Sequence, residues 1–342
     1  MNVLSLFDGM SCGQIALTNL GCFPDKYYAS EVDKFAIQQT RHVFPDTMHV
    51  GDVTRVDVSK LDKIDLIIGG SPCQSFSFAG KQAGMTTTEN IEVTDLDQYL
   101  DLKIMGFEFT GQSYLFWEYM RILTEVRKYN PDVKFLLENV VMSKKWEAVL
   151  TSAIGVEPVK INSNLLSAQN RKRLYWTNIA EITQPEDEGI FIRDILEDKV
   201  NEKYYVSQKA LEGMINRGKT NVFGARIVSP DRKANTLCVS NGSRNSNLIA
   251  ASRGRACEDG ITRQHLEPRT DGKSNCLTTV QKENLVIEDG GTLRRLTPVE
   301  CARLQTVPDW YEWIVSDTQI YRMCGNGWTV RVIEHILKNL FV

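Results

Sequence analysis

Short apolar runs and amphipathic stretches alternate over roughly the first 180 residues, and their two periods predict two kinds of element. Asn2–Phe7, Lys26–Ser30, Asp65–Gly69, Lys134–Glu138, Glu157–Ile161 and Leu174–Asn178 are short and bounded by turn residues, so they read as strands. Gln14–Leu20, Phe35–Val43 and Tyr114–Tyr129 carry apolar residues at helical spacing. Such alternation is the pattern of an α/β fold, a mostly parallel sheet with crossover helices. From about residue 184 to 290 the pattern changes to Asn-, Ser-, Gly- and Thr-rich sequence with short β-prone pieces, among them Arg226-Ile227-Val228 and Leu285-Val286-Ile287. From Arg294 the chain turns helical again, with Thr297 as N-cap and Pro298 at the first helical position.

Within the β-rich section, Asp231-Arg232-Lys233-Ala234-Asn235-Thr236-Leu237 is echoed by Asp271-Gly272-Lys273-Ser274-Asn275-Cys276-Leu277. Two similar hairpins projecting polar tips would explain the echo, and chance similarity of turn-rich segments stands beside that reading.

At 342 residues, about two domains are expected. Hydrophobic content of 42% and charged content of 24% are those of a soluble globular chain. No apolar run approaches the ~20 residues of a membrane helix. The opening Met1-Asn2-Val3-Leu4-Ser5-Leu6-Phe7 reads as a strand, without the basic start of a signal peptide. The eight cysteines never form C-x-x-C, which argues against zinc and for a reduced cytosol. The four histidines are scattered, so no metal centre is expected.

The net charge of −3 hides an asymmetry. Lys203 to Lys273 holds 13 Lys and Arg against 6 Asp and Glu, a local net of +7, whereas Met85 to Met120 has a local net of −6. A basic section carrying turns such as Ser240-Asn241-Gly242-Ser243-Arg244-Asn245 suits a polyanion, with a solvated basic face as the plainer reading.

The chemistry gathers where the predicted strands end. Ile64-Asp65-Leu66-Ile67-Ile68 runs into Gly69-Gly70-Ser71-Pro72-Cys73-Gln74, which presents a thiol at the carboxyl edge of a sheet, where open α/β sheets build active sites. Alone, the segment reads equally as a turn with Cys73 as a small half-buried hydrophobe. Phe7-Asp8-Gly9-Met10-Ser11-Cys12-Gly13 is a glycine-bent turn into a helix, without the G-x-G-x-x-G phosphate cradle. The next strand ends at Glu31, 18 residues after Gly13, where a carboxylate can accept both ribose hydroxyls. Asp52 follows and could accept from an adenine amino group. Singly, each is a loop charge; together at successive strand ends they favour an adenosine ligand. Without a phosphate-binding pattern, S-adenosylmethionine is the one that fits. Phe135-Leu136-Leu137 ends at Glu138, and Gln169-Asn170-Arg171-Lys172-Arg173 puts alternate arginines on one face of the following strand.

In order and spacing these segments resemble the DNA cytosine-5 methyltransferases nearly end to end. Pro72-Cys73-Gln74 is similar to that family's nucleophile motif, Glu138-Asn139-Val140 to its acid motif, and Gln169-x-Arg171-x-Arg173 to its paired arginines. Leu296-Thr297-Pro298-Val299-Glu300-Cys301-Ala302-Arg303-Leu304-Gln305 resembles its scaffold motif, and Gly325-Asn326-Gly327 the C-terminal motif that folds back on the cofactor. The resemblance implies a Rossmann-like S-adenosylmethionine-dependent catalytic domain (1–183), a smaller β-rich target-recognition domain (184–290) and a C-terminal return to the catalytic domain (291–342). It implies cofactor contacts from Phe7, Asp8, Gly9, Met10, Ser11, Glu31, Val32, Asp52, Val53, Pro72, Asn326 and Trp328, and DNA contacts from Gln74 and Ser77, to which the basic turn adds Arg244.

Catalysis is then expected from Cys73 adding to C6 of a flipped-out cytosine, Glu138 at N3, and Arg171 and Arg173 at O2 and the flanking phosphate. Double-stranded DNA is the implied partner, with a cognate restriction endonuclease as a further one, for a monomeric cytoplasmic enzyme of prokaryotic or phage type. A tRNA cytosine-5 methyltransferase and a non-catalytic DNA-binding relative are the alternatives. Two departures from the family stand out. Gly327-Trp328 replaces Ser-Val, and Gln112-Ser113-Tyr114 stands where Arg-Gly often precedes Leu115-Phe116.

Overall fold

In the computed structural model, seven strands form one sheet whose apolar residues divide between its two faces by the period of two. The described residues are 1–73, 76, 85–207, 248–256, 262–269, 271, 273–277, 284–287 and 293–341. The strands are β1 (Asn2–Leu6), β2 (Lys26–Ser30), β3 (Met48–His49), β4 (Leu66–Gly70), β5 (Lys134–Val140), β6 (Val159–Asn162) and β7 (Lys172–Thr177). Their spatial order is β3-β2-β1-β4-β5-β7-β6, parallel except for β7, which runs antiparallel to both neighbours. Val3, Leu66, Ile68 and Leu136 enter one core; Leu4, Leu6, Ile67, Phe135 and Leu137 enter the other.

The first face is covered by α1 (Cys12–Asn19), α2 (Lys34–Val43) and three late helices, α6 (Pro298–Leu304), α7 (Asp317–Asn326) and α8 (Val330–Leu337). Helix α1 lies so close to the sheet that a Cβ on Gly13 would sit 2.1 Å from Ile68 Cδ1, so a larger residue there would require Ile68 to change rotamer. Helices α3 (Leu96–Ile104), α4 (Phe116–Tyr129) and α5 (Lys144–Ile154) cover the second face. The strands and three helices expected from sequence are present with ends shifted by one or two residues, while α3 and α5 were not anticipated. β7 starts two residues earlier than expected because Lys172 and Arg173 pair with Asn162 and Ile161 of β6.

A second, antiparallel sheet contains β8 (Leu248–Ala256), β9 (Thr262–Arg269), β10 (Asn284–Ile287) and β11 (Leu293–Arg295), in the order β11-β10-β8-β9. Its register pairs Arg253 with His265, Arg255 with Arg263 and Ile249 with Arg269, so these positions share one face of the β8–β9 ribbon.

The second Asp-x-Lys-x-Asn copy is not a projecting tip. Lys273 is buried; its Nζ donates to the carbonyls of Asn164 at 3.0 Å and Ile190 and lies over the Phe191 ring. Ser274 N donates to Ala168 O and Ser274 O accepts from Asn170 N, so this copy is stitched to the 168–170 segment, and carbonyls and an aromatic face replace the water a tip lysine would need. The first copy, and Arg226-Ile227-Val228, lie outside the described residues, as do Gln74, Ser77 and Arg244.

Thr297 caps α6 in a reciprocal capping box with Glu300, with Pro298 in the first turn, as expected. Glu300 also accepts a bidentate pair from Arg294 at 2.8 and 2.9 Å, and both side chains are essentially inaccessible.

Candidate active site

The register explains how distant residues reach one edge. Leu6 pairs with Ser30 and with Gly69, and Gly69 with Leu137. One step further, Phe7, Glu31, Gly70 and Glu138 therefore stand side by side at the carboxyl edge, which is where an open α/β sheet holds its ligands. Because β7 runs the other way, the residues at its start reach the same edge, with Arg173 opposite Val140. A pocket of about 710 Å³ opens there. It is lined by Cys73, Glu138, Arg171 and Arg173, and by Phe7, Asp8, Gly9, Met10, Glu31, Val32, Asp52, Val53, Pro72, Asn326 and Trp328.

Ser11 does not line the pocket. It is fully buried, at positive φ, and its hydroxyl donates to Asp8 Oδ2 at 2.7 Å. Asp8 in turn accepts from Tyr27 Oη at 2.9 Å, and burial pushes its carboxyl up to about 6 against these hydrogen bonds. Phe7 also adopts positive φ, a strained conformation for a residue with a side chain, held by this network.

Glu31 is oriented by backbone alone. Its Oε2 accepts from Gly9 N at 2.8 Å, and its Oε1 from Val32 N at 2.7 Å and Asp33 N at 2.8 Å. Asp52 caps a short 3-10 turn, with Oδ1 accepting from Thr54 N and Oγ1, both at 2.9 Å. Arg121 fixes that turn by donating to Val53 O at 3.1 Å and Val56 O at 3.2 Å. The acidic segment supports the same region: Glu118, buried between Arg121, Lys103 and Tyr99, joins α3 to α4, and Gln112 and Tyr114 form a pocket wall. Arg322 and Asp33, 2.9 Å apart, close an ion pair at the rim. The two oriented carboxylates, Glu31 and Asp52, are hydrogen-bond acceptors available to a ligand's hydroxyl or amino groups.

At the other end, Asn139 Nδ2 donates to Ser71 Oγ at 3.0 Å and Ser71 O at 3.2 Å, tying the cysteine loop to β5. Burial first, then the Glu138 charge, raises the Cys73 thiol above its usual range; Arg173 and Arg171 pull the other way without prevailing. Glu138 Oε1 lies 2.8 Å from Arg173 Nε, and Oε2 accepts from Trp328 Nε1 at 3.2 Å.

Arg171 is buried and donates to Gly327 O at 2.7 Å and Gly325 O at 3.3 Å, so it clamps the 325–327 segment. Sequence reasoning missed Cys276, whose Sγ lies 3.2 Å from Arg171 Nη1 and 3.6 Å from Arg173 Nη2. Burial opposes its ionisation, but the charges and hydrogen bonds of the two arginines hold this thiol below its ordinary value. Its place in the second Asp-x-Lys-x-Asn copy was the available signal. Among the described residues no group of His, Cys, Asp and Glu could hold a metal ion, and no helix is long and apolar enough to cross a membrane.

The chain is 29% identical to the type II methyltransferase M.HpaII of Haemophilus parainfluenzae over 98% of its own length and 88% of the relative's. It is 25% identical to the orphan methyltransferase M.SPRI of Bacillus phage SPR, covering 99% and 97% of the two. The S. pombe Dnmt2 methyltransferase superposes over 100% of this chain and 99% of that one, with a TM-score of 0.62 at 17% identity, a likeness of fold. A putative DNA modification methyltransferase from an E. coli prophage gives 0.58 at 20% identity, covering 100% and 98% of the two chains. The family model for C-5 cytosine-specific DNA methylase matches residues 1–100 and 161–342. Its sequence, its Rossmann-like sheet and the residues gathered at its edge lead to one assignment: the chain belongs to the C-5 cytosine-specific DNA methylases.

Proposed function

We propose that this protein methylates C5 of a cytosine flipped out of double-stranded DNA, using S-adenosylmethionine, through a covalent bond between Cys73 Sγ and C6. The observation that carries the reading is the meeting of Cys73, Glu138 and Arg173 at one end of a pocket whose other end holds Glu31 and Asp52. C5 of cytosine is too electron-poor to attack a methyl group unaided. Adding a thiolate to C6 converts the ring to an enamine with a nucleophilic C5. Glu138 holds or protonates N3, so charge does not accumulate on the ring. Arg173 faces both Glu138 and the thiol, and is placed to meet O2 and the flanking phosphate. After transfer, the C5 proton leaves and the Cys73 Sγ–C6 bond breaks, restoring aromaticity and the thiolate.

Residues 7–10, Glu31, Asp52 and the 325–328 segment would hold S-adenosylmethionine, which supplies an electrophilic methyl on a sulfonium. Because Cys73 rests as a thiol, ionisation accompanies substrate binding, when the pyrimidine displaces water beside the arginines. C6 is shielded within a duplex, so the base must leave the stack.

The 184–290 section would read sequence, with the Arg244-bearing turn and the Arg253, Arg255, Arg263 and Arg269 face of the β8–β9 ribbon meeting the major groove. Bisulfite sequencing of a bacterial genome expressing the chain tests the function directly. Methylated cytosines in one defined context are expected; an unmodified genome with methylated tRNA would replace DNA by RNA as substrate. Replacing residues 241–246 by a neutral turn is expected to relax or redirect that context while cofactor binding is kept. Unaltered specificity would move the reader to the ribbon.

Replacing Glu31 by alanine removes charge-assisted hydrogen bonds to the ribose, each worth about 1.5–3 kcal/mol. The dissociation constant for S-adenosylmethionine, measured by calorimetry, is therefore expected to rise roughly 10- to 150-fold with DNA affinity unchanged. An unchanged constant would remove Glu31 from the site.

A further inference from the structure

Trp328 stands where many members of the family carry valine, and its indole reaches out of the 325–328 segment to the acid. Nε1 donates to Glu138 Oε2 at 3.2 Å, joining residues 190 positions apart. The other carboxyl oxygen, Oε1, is 2.8 Å from Arg173 Nε but lacks an aligned hydrogen bond among the described residues. Charge attraction is broad in direction, and a glutamate's terminal torsion turns in a shallow, two-fold well. The indole N–H is therefore the directional tether on this carboxyl.

The sheet is hollowed to admit it. A Cβ on Gly70 would lie 2.8 Å from Trp328 Nε1 and 3.1 Å from Glu138 Oε2, wedging the pair apart. The tryptophan is itself anchored through its carbonyl and its two chain neighbours. Cys12 Sγ donates to Trp328 O at 3.7 Å, Arg171 Nη2 to Gly327 O at 2.7 Å, and Thr329 Oγ1 to Gln305 Oε1 at 3.0 Å. The side chain is only 9% exposed, so the bond is sheltered from competing water.

We propose that Trp328 is a positioning residue for Glu138: its indole N–H aims the carboxyl at N3 of the flipped cytosine, and the methyl-donor segment thereby sets the geometry of the acid. This rests on the covalent reading above and deepens it. A catalytic group displaced by about 1 Å costs of order 10²-fold in rate, so loss of one of two restraints has a kinetic rather than a binding signature.

The test is Trp328→Phe, which keeps an aromatic ring and removes the donor, read by single-turnover methyl transfer and by covalent adduct formation on DNA with 5-fluorocytosine at the target. About tenfold slower transfer and trapping is expected, with the dissociation constant for DNA within about twofold of the parent and any change in that for S-adenosylmethionine smaller than the change in rate. In a Glu138→Gln background the same change should alter trapping by less than about twofold, since a residue acting through Glu138 is not additive with it. Parent-like rates in Trp328→Phe, an undiminished tenfold effect in the Glu138→Gln background, or a loss confined to cofactor affinity would each overturn the proposal. Should Trp328→Phe not fold, Gly70→Ala reads the same contact by wedging it open. A slowed acid step with intact cofactor binding is expected there, and parent-like rates would again overturn it. Failure of the covalent reading itself looks different, because the parent enzyme would then form no adduct at all.

Discussion

Replacing Cys73 by serine is expected to lower methyl transfer by roughly 10⁴-fold or more, the scale on which loss of an attacking group is felt. A hydroxyl is a far weaker nucleophile than a thiolate, and among the described residues the charges felt at this position are those of Glu138, Arg173 and Arg171. Specific DNA binding should survive, since Cys73 contributes little surface. DNA carrying 5-fluorocytosine should be trapped by the parent enzyme in the presence of S-adenosylmethionine, because fluorine cannot leave C5 as a proton does. A denaturing gel separates the outcomes. An adduct formed by the serine variant, or residual activity near that of the parent, would remove Cys73 from the role of nucleophile.

The largest effect on stability should come from a site remote from the chemistry. Glu300→Ala leaves the Arg294 guanidinium buried beside an empty carboxylate position, and it removes acceptors for the backbone N–H groups of Thr297 and Glu197. Breaking one side of a buried pair typically costs about 3–5 kcal/mol, a large share of the 5–15 kcal/mol that holds a domain together. Urea unfolding should show a lower midpoint at an unchanged slope. A cost below about 1 kcal/mol would mean that water enters to solvate Arg294. Both partners sit between the second sheet and α6, so the variant should also loosen the attachment of β11.

Most of the parallel strands were legible because they are short apolar runs bounded by turn residues, and three of the stops name Glu31, Gly70 and Glu138; the two-residue β3 is too short to show a period and was not anticipated. The repeated register then brings those stops to one edge without further information. Helix α5 carried a readable signal, with Trp146, Leu150 and Ile154 spaced four apart and buried, yet its lysine-rich start obscured it. Helix α3 was hidden by the acidic composition around Tyr99 and Leu102. What sequence could not show is contact between distant segments. The grip of Arg171 on Gly325 and Gly327 is visible only once the fold joins those segments, and Cys276 has no visible chemistry until the chain returns beside both arginines. The raised Cys73 thiol is likewise a balance of burial and the Glu138 charge against two arginines, and no local motif encodes a balance.

The pocket is closed by residues some 300 positions apart, with Tyr311 bonding Met10 across 301 positions and Trp328 bonding Cys12 across 316. That separation sets a delay on the ribosome. At about 5–20 residues per second, some 15–60 s pass between the emergence of α1 and that of the segment completing its wall. Through that interval Ile15, Ala16 and Leu17 lack the cover that α8 supplies, leaving the nascent chain exposed to chaperones and to aggregation. On the proposed reading, a nascent chain ending before the 325–328 segment would carry the thiol but neither the tether on the acid nor a finished donor pocket, so activity would begin only after the last helices dock.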